Sequence, residues 1–140
     1  MGIYLLFLPT YSPALYPILY NDIKESEDAR KILSGIEEKN IQAYTSNLTW
    51  DEISYVVERI FGKTDSIEVG KRFLNFPFLR FIPVDDEIIR RRQVIWEKYN
   101  LKPRDSIHLS CASERNISEI ITDDTDFDRL KEITRIPIKQ

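Results

Sequence analysis

The chain has a single cysteine, Cys111, among its 140 residues. One cysteine can form neither an internal disulfide nor a cysteine-based zinc cluster, so both are excluded. Cys111 is therefore interpreted as a small core residue. Its reduced state fits a reducing compartment, and we predict a cytoplasmic location.

There is no excess of basic charge either. Lysine and arginine number 20 against 23 acidic residues, and the net charge is -3. No overall field attracts nucleic acid, so an RNA partner would have to be held by a local patch. A hydrophobic share of 42% and a charged share of 31% are typical of a globular protein. The length is that of one domain and no linker appears, so we predict a single domain over residues 1–140.

An uninterrupted apolar span is also missing. Residues 3–20 are strongly apolar, but Pro9, Pro13 and Pro17 would break a membrane-spanning helix. The segment lacks the basic flank and the cleavage site of a signal peptide. We therefore predict no membrane association and interpret residues 3–8 as a short buried strand.

The rest of the chain alternates between helical and strand-like patterns. In residues 26–38, for example, apolar side chains recur at helical spacing with charged side chains between them. Helices are predicted at 26–38, 48–61, 65–74, 86–99 and 103–115, and further strands at 41–45, 78–84, 119–122 and 136–138. This alternation predicts an α/β fold in three layers, with a central parallel sheet of four to five short strands.

Acidic residues follow several of these predicted strands, and the sites of open parallel sheets lie at the carboxyl ends of strands. The candidates are Glu52, Asp105, Asp124 and Asp126, with Asp123 and Asp128 beside the last two. Carboxylates gathered in one pocket repel each other unless a cation lies between them, and Mg²⁺ or Mn²⁺ suits oxygen ligands. Such a cation can activate water and neutralise charge on a phosphodiester, as a hydrolytic nuclease requires.

Each candidate also has a purely structural interpretation. Glu52 could close a capping box with Thr49, and Asp105 follows Pro103 in a first helical turn, where the helix dipole favours an acid. The acidic run after residue 122 could be a solvated turn. His108, the only histidine, is interpreted as a packed helix residue. Arginines at 90–92 are typical of a solvated face, although contact with an RNA backbone is compatible with them.

Three stretches resemble motifs of the PIN domain family, especially of the toxins of VapBC-type toxin–antitoxin pairs. The stretch SNLTWDEISYVV resembles the second motif and puts Glu52 at its acidic position. PRDSIHLSCASERN resembles the third motif, with Asp105 as its acid, and IITDDTDFDRL the fourth, with Asp124 and Asp126. The resemblance extends from about residue 29 to the C-terminus.

This resemblance implies a PIN-like fold and a metal-dependent endoribonuclease that hydrolyses RNA phosphodiester bonds. It implies that Asp105, Asp124 and Asp126 hold Mg²⁺ or Mn²⁺, while Glu52 completes the cluster or positions the attacking water. It further implies a toxin that forms a homodimer and is silenced by a cognate antitoxin protein. The apolar N-terminal third is a candidate for the dimer interface.

The first motif departs from the family pattern. Family members carry Asp-Thr-Asn after the first strand, whereas here Pro9 replaces the aspartate and Tyr11 the asparagine. Asp22 is the nearest downstream carboxylate, a dozen or so residues beyond the strand, and does not inherit the role. Two hypotheses therefore remain open: an active nuclease, and a catalytically degenerate PIN fold that binds RNA or protein. A third is an unrelated α/β signalling domain that binds Mg²⁺ without nuclease chemistry.

Overall fold

The computed structural model describes residues 2–6 and 27–138. These residues form five β-strands, five α-helices and one 3₁₀ helix. In chain order the elements are β1 (Ile3–Leu6), α1 (Glu27–Glu37), β2 (Gln42–Ser46), α2 (Asn47–Phe61), α3 (Lys63–Leu74), β3 (Arg80–Ile82), α4 (Asp86–Lys98), α5 (Pro103–Glu114), β4 (Glu119–Ile121), the 3₁₀ helix (Thr125–Arg129) and β5 (Thr134–Ile136).

All five described strands belong to one parallel sheet in the order β3-β2-β1-β4-β5. From β1 the chain proceeds outward through β2 and β3, then returns to the other side of β1 for β4 and β5. The direction therefore reverses between β1 and β4, and open α/β sheets bind ligands at the carboxyl ends of the strands at such a reversal. The predicted parallel α/β sheet is confirmed.

Helices cover both faces of this sheet because neighbouring residues of a strand point to opposite faces. Leu6 of β1 and Ile121 of β4 are buried in a cluster with apolar residues of α1, α2 and α3. Leu5 and Ile120 are buried in a second cluster, with apolar residues of α4 and α5. The predicted three-layer arrangement is therefore also confirmed.

Helix α2, which carries Glu52, begins at a side-chain cap. The Ser46 hydroxyl accepts a hydrogen bond from the backbone N–H of Thr49, at 3.4 Å. Ser46 is thus the N-cap, so the capping box proposed for Thr49 and Glu52 is wrong. The helix ends at Gly62, as predicted, where φ is +96° and a glycine is favoured.

Two strand predictions need correction at their boundaries. The strand predicted at 78–84 spans only Arg80–Ile82, because Phe78 has a φ of +63°, which does not continue a strand. The last strand is Thr134–Ile136 rather than 136–138, since this register pairs it with β4. Residues 7 and 8 of the predicted first strand lie outside the described part.

Within the described residues, no helix is long and apolar enough to cross a membrane.

Candidate metal centre

Three aspartates meet at the carboxyl edge of the sheet. Asp105 lies in the first turn of α5, whereas Asp124 and Asp126 follow β4. One carboxylate oxygen from each lies within 4.8 Å of the others. We call these three side chains the acidic trio. The structure thus brings together three of the four acids that the sequence proposed for a metal site.

Asp105 is the buried member of the trio, with only 5% of its surface exposed. Its Oδ2 atom is buried and makes no hydrogen bond to any residue that the structure describes. Burial, and then the charges of Asp124 and Asp126, raise the pKa of Asp105 from 3.8 to about 7, with a small contribution from Glu52 and an opposing one from Lys102. A divalent cation among these oxygens would satisfy the orphaned atom and offset the repulsion, so the donor set fits Mg²⁺ or Mn²⁺.

A tight turn after β4 positions the other two aspartates. Asp124 caps the 3₁₀ helix: its Oδ1 accepts a hydrogen bond from the N–H of Asp126, at 2.9 Å. Asp126 also lies between two cations, with Oδ2 3.7 Å from Lys102 Nζ and Oδ1 3.6 Å from Arg129 Nη2. These cations offset part of the negative charge at the rim of the trio. This 3₁₀ helix was not predicted from the sequence.

The two neighbouring acids of the same turn have other partners. Asp123 Oδ1 accepts a hydrogen bond from the N–H of Ile138, at 2.8 Å. Asp128 is exposed and pairs with Arg135 at 2.7 and 3.1 Å, and this hydrogen bonding lowers the pKa of Asp128. The acidic run therefore divides: two residues join the trio and two stabilise the turn and β5.

Glu52 is buried and lies outside the group of three, but it is close enough for its charge to raise the pKa of Asp105. Its Oε1 accepts a hydrogen bond from His108 Nε2, at 2.8 Å. The other ring nitrogen, Nδ1, lies 3.3 Å from Ser46 Oγ. His108 is fully buried, which confirms its interpretation as a packed helix residue. Its contact with Glu52 was not predicted, and the sequence signal for it is weak: the only histidine follows Asp105 by one helical turn.

The three arginines of α4 contact groups of the same chain. Arg90 pairs with Asp86 at 2.7 Å, Arg91 pairs with Glu114 at 3.0 Å, and the Arg92 guanidinium lies 4.1 Å from the centre of the Trp96 ring. These contacts agree with a solvated helix face. Pro9, Tyr11 and Asp22, which bear on the missing first motif, lie outside the described residues.

Comparison with known proteins identifies the family. The sequence model of the PIN domain matches residues 14–133, most of the chain. No sequence relative was found among curated proteins. The match to the PIN domain contradicts the hypothesis of an unrelated signalling domain.

Solved structures share the fold at low sequence identity. VapBC from Salmonella typhimurium bound to DNA has a TM-score of 0.71 at 17% identity, covering 99% of both chains. VapBC2 from Rickettsia felis, bound to a DNA fragment from its promoter, has a TM-score of 0.70 at 18% identity, covering 96% of this chain and 98% of that one. VapC20 of Mycobacterium tuberculosis, a toxin that cleaves the sarcin-ricin loop, has a TM-score of 0.63 at 14% identity, covering 91% and 94%. The fold, the sequence match and the acidic trio agree: this chain belongs to the PIN domain family.

Proposed function

We propose that the chain is a metal-dependent endoribonuclease that hydrolyses RNA phosphodiester bonds. The observation that carries the proposal is the acidic trio around the buried, unpartnered Oδ2 of Asp105. Asp105, Asp124 and Asp126 would hold Mg²⁺ or Mn²⁺. A bound divalent cation would offset charge on the scissile phosphate and increase the acidity of an adjacent water molecule.

Glu52 has two roles open to it in this proposal: to complete the metal cluster or to position the attacking water. Two observations support the second role: Oε1 is occupied by the hydrogen bond from His108, and Glu52 lies outside the group of three aspartates. Lys102 and Arg129, which lie beside Asp126, are suited to contact phosphate oxygens of the RNA. This arrangement would supply the basic patch that the net charge of -3 does not provide.

A protein partner is the second part of the proposal. By its resemblance to VapC toxins, the chain would form a homodimer, reside in the cytoplasm as one domain and be silenced by a cognate antitoxin. The exposed apolar side chains of Trp50, Ile67 and Leu74 line one groove between α2 and α3, and an exposed apolar surface of this kind supports a protein partner. The apolar N-terminal segment proposed as an interface lies largely outside the described residues.

Pro9 in place of the first-motif aspartate favours the alternative, a degenerate PIN fold that binds RNA or protein. Mn²⁺ binding, measured by calorimetry, separates the two because it needs no knowledge of the RNA target. The wild-type protein should bind Mn²⁺ saturably, and the Asp105→Asn variant should not. Asp128→Asn is the matched control, because Asp128 lies in the same 3₁₀ helix as Asp126 but pairs with Arg135 outside the trio.

Cleavage is then measured on a mixture of fluorescently labelled RNAs, with and without a chelator. Cleavage that requires the cation and is lost in Asp105→Asn would support the nuclease. Absence of Mn²⁺ binding in the wild-type protein would refute the nuclease proposal and leave the degenerate binding module.

A further inference from the structure

The imidazole of His108 connects the acidic site to the beginning of helix α2. His108 is fully buried in α5, one turn after Asp105. Buried polar atoms in folded proteins are nearly always hydrogen-bonded, and both nitrogens of this ring have a neighbour. Nε2 lies 2.8 Å from Glu52 Oε1, and Nδ1 lies 3.3 Å from Ser46 Oγ. The ring is thus held on both sides by residues of one helical segment.

The direction of these hydrogen bonds follows from the chemistry of the groups. A carboxylate can only accept, so Nε2 carries a proton and donates it to Glu52. In the neutral ring Nδ1 is then an acceptor, and the Ser46 hydroxyl donates to it. The same hydroxyl oxygen accepts the N–H of Thr49, at 3.4 Å. A continuous chain of hydrogen bonds therefore joins Ser46, the cap of α2, to Glu52, which lies six residues further along.

Glu52 depends on this chain for its orientation. Its carboxylate is buried, and among the described residues its only hydrogen bond comes from His108. That bond uses Oε1 and leaves Oε2 for another donor or for water. A buried carboxylate without its partner is costly, so loss of the imidazole would let Glu52 turn away towards solvent. Its position beside the trio is therefore set by a residue of another helix.

We infer that His108 is a positioning residue, which holds the Glu52 carboxylate beside the acidic trio so that Oε2 accepts a hydrogen bond from water at the metal centre. This inference rests on the proposed nuclease function and assigns a task to the only histidine of the chain. Its contribution is made through Glu52, without contact to the metal or the RNA.

The test compares three substitutions of His108 by Mn²⁺ calorimetry. His108→Leu removes both hydrogen bonds and should weaken Mn²⁺ binding by up to the ~10-fold that is typical when a direct partner of a metal ligand is lost, because His108 acts one step further from the metal. His108→Gln places an amide N–H near the position of Nε2 and should recover most of the affinity. His108→Asn reaches only the position of Nδ1 and should not recover it. If Mn²⁺ affinity recovers only when the new side chain presents an N–H to Glu52, a merely structural role for His108 does not explain the result.

Ser110→Ala is the matched control for stability. Ser110 is also fully buried in α5, but its hydroxyl donates to the carbonyl oxygen of Ile88, at 2.8 Å, on the side of α4. The variant should unfold more easily in urea and still bind Mn²⁺ like the wild-type protein. If Ser110→Ala weakened Mn²⁺ binding as much as His108→Leu, general destabilisation would explain both and the inference would be refuted.

The remaining outcomes separate this inference from the function on which it rests. Unchanged Mn²⁺ affinity in His108→Leu, with binding lost in Asp105→Asn, would overturn the positioning role and leave the nuclease proposal intact. If His108→Leu does not fold, equal affinities of the Gln and Asn variants would overturn it. No binding by the wild-type protein would refute the nuclease proposal and the inference together.

Nuclear magnetic resonance gives a second readout, because one histidine means one set of imidazole signals. In the wild-type protein, Mg²⁺ should shift the imidazole ¹⁵N signals as Glu52 takes up its contact at the centre. In Asp105→Asn the same addition should leave them unchanged. An imidazole unaffected by saturating Mg²⁺ in the wild-type protein would contradict the inference.

Discussion

Removing the charge of Asp105 should make the metal-free protein more stable near neutral pH. The folded-state pKa of Asp105 is raised from 3.8 to about 7, so between these values the folded protein holds a proton that the unfolded chain releases. Stability of the wild-type protein should therefore fall as pH rises through this window and level off above pH ~7. The groups that face Asp105 are Asp124, Asp126 and Glu52, which raise this pKa, and Lys102, which lowers it.

The size of the effect follows from the pKa. One pKa unit corresponds to ~1.4 kcal/mol, which makes a rise from 3.8 to about 7 equivalent to an upper limit of about 4 kcal/mol. Water that reaches the rim of the trio screens part of this repulsion, and we expect roughly 2 kcal/mol. Asn has nearly the same shape as Asp and carries no charge. In the presence of a chelator, the free energy of unfolding of Asp105→Asn should exceed that of the wild-type protein by this amount at pH 7.5. The two values should be equal near pH 4.

The assay is urea unfolding followed by circular dichroism at three pH values, with a chelator and with Mg²⁺. Saturating Mg²⁺ should reverse the order of the two proteins, since a ligand present at 100 times its Kd stabilises the folded state by ~2.7 kcal/mol and Asp105→Asn should not bind it. Asp128→Asn should keep the fall in stability between about pH 5 and 7, because the lowered pKa of Asp128 leaves this carboxylate ionised in both the folded and the unfolded state there. Parallel pH profiles for wild type and Asp105→Asn would refute the reasoning.

Three further predictions concern other parts of the chain. Phe127→Ala should lower the free energy of unfolding by ~3–5 kcal/mol in urea titrations, because Phe127 is the fully buried residue of the 3₁₀ helix; a loss below about 1 kcal/mol would contradict this. Cys111 is fully buried, and burial raises the pKa of its thiol to about 12, so maleimide should label it only after unfolding. Pro9→Asp should strengthen Mn²⁺ binding ~10-fold or more if Pro9 occupies a ligand position, as the family motif implies; calorimetry against the wild-type protein checks this.

Much of the fold could be predicted from the sequence because each helix carries a strong local signal. The apolar spacing in α1 and the glycine after α2 are such signals, and both predictions were confirmed. The errors concern strand boundaries that are determined by a single backbone angle or by pairing with a strand distant in sequence. Phe78 adopts a positive φ that its residue type does not indicate, and β5 takes its register from β4. Neither cause can be seen in a window of neighbouring residues.

The candidate site was less predictable because it is assembled from side chains far apart in sequence. The motif resemblance selected Asp124 and Asp126 over Asp123 and Asp128, but the spacing within this short run does not show the physical cause of the difference. The 3₁₀ turn makes this separation, since its cap directs two carboxylates to the trio and leaves the others to Ile138 and Arg135. Similarly, the spacing of Thr49 and Glu52 was compatible with a helix-capping role for Glu52. In the structure Ser46 caps this helix instead.

Within the acidic trio, position 105 does not carry the residue that would make the metal-free protein most stable. A leucine or asparagine at position 105 would avoid both the burial of a charge and its repulsion by two neighbours. The chain instead places a carboxylate there, with one oxygen that no described residue satisfies. Departures of this kind are expected at functional sites, where the missing stabilisation comes from a ligand. Lys102 and Arg129 form their ion pairs with Asp126, and the charge of Lys102 offsets only part of the rise in the pKa of Asp105, whose Oδ2 keeps no hydrogen-bond partner among the described residues. A divalent cation would act on all three carboxylates at once, which is why its binding and the stability of the fold should be measured together.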